Sequence, residues 1–114
     1  MSEAARFPGV TYILRIKQTE PDRGSDIEDY LAALAKKLEL IAVDGSPDDV
    51  FEANGRRWQN VRHVAPSPEL TTRNGKVRGV LTGLQLASND RIIIADDDVR
   101  YDDEALSAII ARLD

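Results

Sequence analysis

Residues 91–110 read RIIIADDDVRYDDEALSAII. Arg91 to Ala95 is a short apolar run with three consecutive isoleucines, the pattern of a strand inside a sheet. The run stops on Asp96-Asp97-Asp98. Asp102 then stands where a helix N-cap is expected, ahead of Leu106, Ile109, Ile110 and Leu113 at helical spacing. Strand, acidic turn and capped helix follow within some twenty residues, and the rest of the chain repeats the first and last of these.

Toward the N-terminus, Gly75 to Ala87 carries Val77, Val80, Leu81 and Leu84, which predicts an amphipathic helix seated on those side chains. Pro66 to Asn74 reads as a loop and Val61 to Val64 as a weak strand. Ser46 as N-cap and Pro47 at the first helical position predict a short helix that Gly55 ends. Leu40 to Val43 is an unbroken apolar strand. Asp26 to Leu38 is a helix through Ile27, Tyr30, Leu31, Leu34 and Leu38, with Ser25 and Glu28 placed as a capping box. Glu20 to Gly24 is a breaker cluster. Val10 to Lys17 is a strand showing Val10, Tyr12, Leu14 and Ile16 on one face.

Strands and helices alternate four times with short connections. That order predicts an α/β three-layer sandwich with a mostly parallel sheet, reached by right-handed crossovers. In such sheets ligands sit outside the carboxyl ends of the strands. Lys17 and Gln18, Asp44, and Asp96 to Asp98 all fall at those ends.

At 114 residues the chain fits one domain. Residues 1–89 are electrically balanced, and residues 90–114 carry the whole net charge of −5. That asymmetry speaks against nucleic acid as a partner. With no cysteine, disulfides, thiolate zinc sites and a cysteine nucleophile are excluded. There is no signal-peptide pattern, and no apolar run is long enough to span a bilayer. A cytoplasmic location is the expectation.

Three adjacent carboxylates repel one another unless a cation or hydrogen-bond donors compensate. As hard oxygen ligands they suit Mg²⁺ or Mn²⁺. The competing reading is a solvated turn that caps the next helix. Asp44-Gly45-Ser46 after the second strand could accept from a nucleobase, or be a turn and cap only. Asn74 to Arg78 opens a helix with cations, suited to phosphate, although it is not a P-loop. His63, the single histidine, Phe51 and Trp58 read as structural, and Arg56-Arg57 as a solvated helix end. An EF-hand is excluded by Arg100 and Tyr101 at its fifth and sixth positions. A receiver domain would want acids where Lys17 and Gln18 stand.

These segments together resemble the N-terminal, nucleotide-sugar-binding half of a family 2 glycosyltransferase with the GT-A fold. Residues 10–18 (VTYILRIKQ) are similar to its first strand, with Gln18-Thr19 where the family has Asn-Glu. Residues 40–48 (LIAVDGSPD) are similar to its strand and Asp-x-Ser-x-Asp. Residues 74–84 (NGKVRGVLTGL) are similar to its Asn-x-Gly-Lys helix, with Thr82 in place of an Asn. Residues 92–106 (IIIADDDVRYDDEAL) are similar to its Asp-x-Asp region and the helix beyond.

The resemblance implies a strand order of 3-2-1-4 and a nucleotide-diphosphate sugar as partner. It places Asp44 on the nucleobase and Arg15 and Lys76 near the nucleotide. It places Asp96 on ribose or metal and Asp98 on Mg²⁺ or Mn²⁺; a slip of one residue brings in Asp97 instead. It implies displacement at an anomeric carbon, with the acceptor site and the base in a second half. The chain is therefore expected to stop before that half and to be inactive alone in sugar transfer. No residue is assigned as catalytic. A non-catalytic nucleotide-binding module and a purely structural α/β domain are the alternatives. The apolar fourth strand, at the sheet's edge, predicts pairing with a second copy or with a partner chain.

Overall fold

The computed structural model describes residues 6–18, 26–58, 60–68 and 75–113, without the side chains of residues 75 and 76. Four strands, β1 (Val10–Ile16), β2 (Glu39–Asp44), β3 (Arg62–Val64) and β4 (Arg91–Asp96), alternate with four helices. These are α1 (Asp26–Ala35), α2 (Asp48–Arg57), α3 (Gly75–Leu86) and α4 (Asp103–Ala111). The strands form one all-parallel sheet in the order β3-β2-β1-β4. The expected α/β architecture and strand order are both present.

β1 is central, which explains why both of its faces are buried. Val10, Tyr12, Leu14 and Ile16 join Leu40, Ala42, Ile93 and Ala95 in a core against α1 and α4. On the other face Ile13 packs with Ile41 and Val43. Alternation marks a strand covered on one side. Here Thr11 and Ile13 are as buried as their neighbours.

Helix α3 seats itself differently from expectation. Val77, Leu81 and Leu84 are exposed, while Thr82 is buried. The helix meets the sheet through Gly79 and Gly83, one turn apart. A Cβ on Gly83 would lie 2.5 Å from Ile13 Cγ2, and one on Gly79 would lie 3.1 Å from Arg15 Cγ. The missing side chains bring helix and strand together, so the aliphatic residues turn outward. Thr82 Oγ1 accepts from Ser67 N–H at 2.9 Å and donates to Arg78 C=O at 2.8 Å. Arg78 Nε donates to Ser67 C=O at 2.9 Å. These bonds tie the segment after β3 to α3.

The helix ends also differ in detail. Pro47, not Ser46, holds the cap position of α2, with no side-chain cap bond. Ser46 Oγ instead accepts from Gln18 N–H at 2.8 Å. α2 runs through Gly55 to Arg57, and Gly55 lies under His63, where a Cβ would come 3.1 Å from Nδ1. α1 stops at Ala35, and Ser25, its expected cap, lies outside the described residues. Asp102 does cap α4, accepting from Ala105 N–H at 2.8 Å. No helix among the described residues is long and apolar enough to cross a membrane.

Candidate functional site

Side chains on a strand alternate between faces, and that parity sorts the polar residues at the carboxyl ends. Arg15 stands in register with Val43 on one side and Asp96 on the other. All three therefore share the α3 face. Asp44, one residue on from Val43, shares the opposite face with Leu40 and Ala42.

Above the first group lies a cleft of about 820 Å³. Its cations are Arg15, Lys17 and Arg78, and its anions are Asp96, Asp97 and Asp98. Gly45, Gly79 and Pro66 also line it, with no side chain or a flat one to narrow it, beside Ile16 and Val43. Arg15 forms an ion pair with Asp96 at the base of the cleft; the Arg15 side chain is 19% exposed. Lys76 falls in the first turn of α3, and its side chain lies outside the described residues.

Asp97 and Asp98 sit on the turn after β4, which is held from several sides. Val99 N–H donates to Asp96 C=O at 3.2 Å. Tyr101 N–H donates to the Tyr30 hydroxyl at 2.9 Å, and that hydroxyl lies 3.2 Å from Tyr12 Oη. Burial first, then the Tyr30 hydroxyl, pushes the Tyr12 phenol well above its usual range. Arg100 lies over the Tyr30 ring at 5.1 Å, pairs with Asp26 at 3.0 Å and donates to Asp97 C=O. The backbone that carries the aspartates is thus fixed to α1. Among the described residues, no three acidic or histidine side chains converge as a metal-binding group.

Asp44 lies on the opposite face of the sheet from Arg15 and Asp96 and is engaged by groups of the protein itself. Its side chain has no exposure. Ser46 N–H donates to Oδ1 at 2.9 Å, and Asn54 Nδ2 and His63 Nε2 donate to Oδ2 at 3.0 and 2.8 Å. Burial alone would raise its pKa, but the bonds from His63, Ser46 and Asn54 outweigh it and hold the carboxyl below the ordinary 3.8. His63 stacks on Phe51 at 4.1 Å and meets the edge of Trp58 at 5.3 Å. Asn54 Nδ2 also reaches Gln18 Oε1 at 3.1 Å.

This network braces the turn that forms one wall of the cleft, from behind it. Reading the sequence for motifs missed Asn54 altogether and left His63 as a generic structural residue. The available signal was strand parity: His63 is in register with Ala42 and so shares the face of Asp44.

Chemically, the cleft offers cations for an anionic group beside hard oxygen ligands, at the sheet edge where α/β folds bind ligands. No curated protein and no solved structure matches the chain. The sequence model of one family, Glycosyl transferase family 2, matches residues 22–114. That match takes in β2, α3, the aspartates after β4 and the helix they precede, so it covers most of the cleft's walls. The chain belongs to glycosyl transferase family 2.

Proposed function

We propose that the cleft binds the nucleoside diphosphate part of a nucleotide-sugar donor, together with Mg²⁺ or Mn²⁺. The observation that carries this reading is that Arg15, Lys17 and Arg78 line one cleft together with Asp96, Asp97 and Asp98. A diphosphate needs cations, and guanidinium groups match its oxygens in bidentate fashion. Divalent magnesium is commonly held by one or two carboxylates plus substrate phosphates rather than by a full protein cage. Asp98 and Asp96 are the residues that would hold it, with Asp97 adjacent, and two cleft carboxylates suffice for that donor set. When bound, the cation would offset charge on the departing diphosphate.

Arg15 and Lys76 serve the phosphates in this reading. Asp44 enters it as the anchor of the Gly45-Ser46 wall, through the bonds its carboxylate accepts from Ser46, Asn54 and His63. Ile94, 46% exposed on the edge strand, supports association of that edge with a second copy or a partner chain.

The test is calorimetry with UDP and GDP, with and without Mn²⁺. Binding should require the metal, and Asp98→Ala should abolish the metal dependence. Full nucleotide affinity in EDTA would overturn the metal's part. No binding of either nucleotide in any condition would overturn the whole reading and favour a structural α/β domain.

A further inference from the structure

Arg15 and Asp96 are paired in a way that bears on how the cleft fills. They stand opposite one another on adjacent strands, in direct register. The guanidinium is held at its stem as well as its head. Helix α3 crosses the stem at Gly79, where an added Cβ would lie 3.1 Å from Arg15 Cγ and 3.3 Å from Cδ. The head has little room to retreat into water, with the side chain 19% exposed, whereas Asp96 is 48% exposed. Among the described residues, the Asp97 and Asp98 carboxylates form no ion pair.

We propose that the Arg15–Asp96 ion pair is a latch that holds divalent-cation binding back until a diphosphate arrives. The inference rests on the reading of the cleft given above. A divalent cation on Asp96 would compete with Arg15 for one carboxylate and stand close to an unreleased positive charge. Stripping Arg15 of its anion strands a cation that is mostly removed from solvent, which is costly. A diphosphate changes this balance, because it offers Arg15 a new, bidentate anion in the same cleft. Arg15 then leaves Asp96 without being stranded, and the carboxylate becomes free for the metal. The two ligands therefore favour each other through Arg15, in addition to any direct contact between them. Such coupling is reciprocal and typically amounts to about 5–150-fold in affinity.

The deciding measurement is Mn²⁺ affinity of the whole chain in the absence of nucleotide, followed by electron paramagnetic resonance of free Mn²⁺. Arg15→Met should bind Mn²⁺ at least about fivefold more tightly than the parent, the lower end of that coupling range. Lys17→Met removes an exposed cleft cation, whereas the ion pair of Asp96 is with Arg15; it should raise Mn²⁺ affinity much less. In the presence of saturating Mn²⁺, Arg15→Met should bind UDP and GDP more weakly than the parent. Arg15→Gln, closer in polarity, serves as the second variant if the methionine variant does not fold. Equal Mn²⁺ affinity in the Arg15 and Lys17 variants would overturn the latch. So would an Arg15 variant that binds Mn²⁺ no better than the parent. If the parent binds nucleotide with Mn²⁺ and the Arg15 variants show no gain, the latch alone is refuted. If the parent binds neither, the donor-site reading falls and the latch with it.

Discussion

Replacing Asp44 by alanine should cost the protein far more in stability than a surface turn would. The carboxylate is buried and accepts from three donors: Ser46 N–H, Asn54 Nδ2 and His63 Nε2. Ser46 is partly exposed, so water can replace its lost acceptor. Asn54 is fully buried and the His63 side chain is 8% exposed, so the N–H that each directs at Asp44 would be stranded, while Asn54 Nδ2 keeps its bond to Gln18 Oε1. A stranded buried donor costs about 1–3 kcal/mol, which gives about 2–6 kcal/mol for the two. That is a large part of the ~5–15 kcal/mol that holds a typical domain folded. Urea unfolding would measure it, with Trp58 as the reporter, since its ring is 3% exposed and sits edge-on to His63. The pH dependence supplies a second reading. The folded pKa of Asp44 lies below the ordinary 3.8, so the unfolded chain takes up the proton first on acidification. Its contribution is therefore complete above about pH 5 and is lost as pH falls through 4 and below. The alanine variant should lack this portion of the acid transition. If Asp44→Ala unfolds within about 0.5 kcal/mol of the parent while losing nucleotide affinity, the carboxylate serves a ligand and the buried network is refuted.

Gly83→Ala should destabilise. The new Cβ would meet Ile13 Cγ2 at 2.5 Å, and overpacking at about 1–3 kcal/mol outweighs the ~1 kcal/mol of helix propensity gained. Leu84→Ala on the exposed side should stay within about 0.5 kcal/mol, and a Gly83→Ala variant as stable as the parent would show that α3 stands off the sheet. Ile94→Lys should shift the chain toward monomer in light scattering if the β4 edge associates, since lysine on an edge strand discourages pairing; an unchanged mass would remove that edge from consideration.

The order of elements was legible in the sequence because each element announces itself locally. The isoleucine run at 92–94, the unbroken apolar run at 40–43 and the Asp102 cap depend on neighbours within a few residues, and periodicity reads such signals directly. The alternation of strands and helices then restricts topology strongly, so the parallel sheet followed, and the family resemblance supplied the order of its strands. The sequence also placed the polar residues at the strand ends, because apolar runs have to stop where the sheet stops.

What it could not supply was which of those residues face one another. Periodicity assigned α3 its aliphatic stripe as the buried side, but Gly79 and Gly83 take that role, because close approach to Ile13 and Arg15 rewards the absence of a side chain. Ser46 has the chemistry of a cap, and only the proximity of β1 turns its hydroxyl toward Gln18 instead. Asp44 and Asp96 look equivalent as strand-end aspartates. Register and pleat send one to His63 on the buried face and the other to Arg15 in the cleft. Arg15 and Asp96 lie 81 residues apart in sequence. Contacts of that kind are decided when strands choose partners and faces, and a local pattern carries no record of the choice.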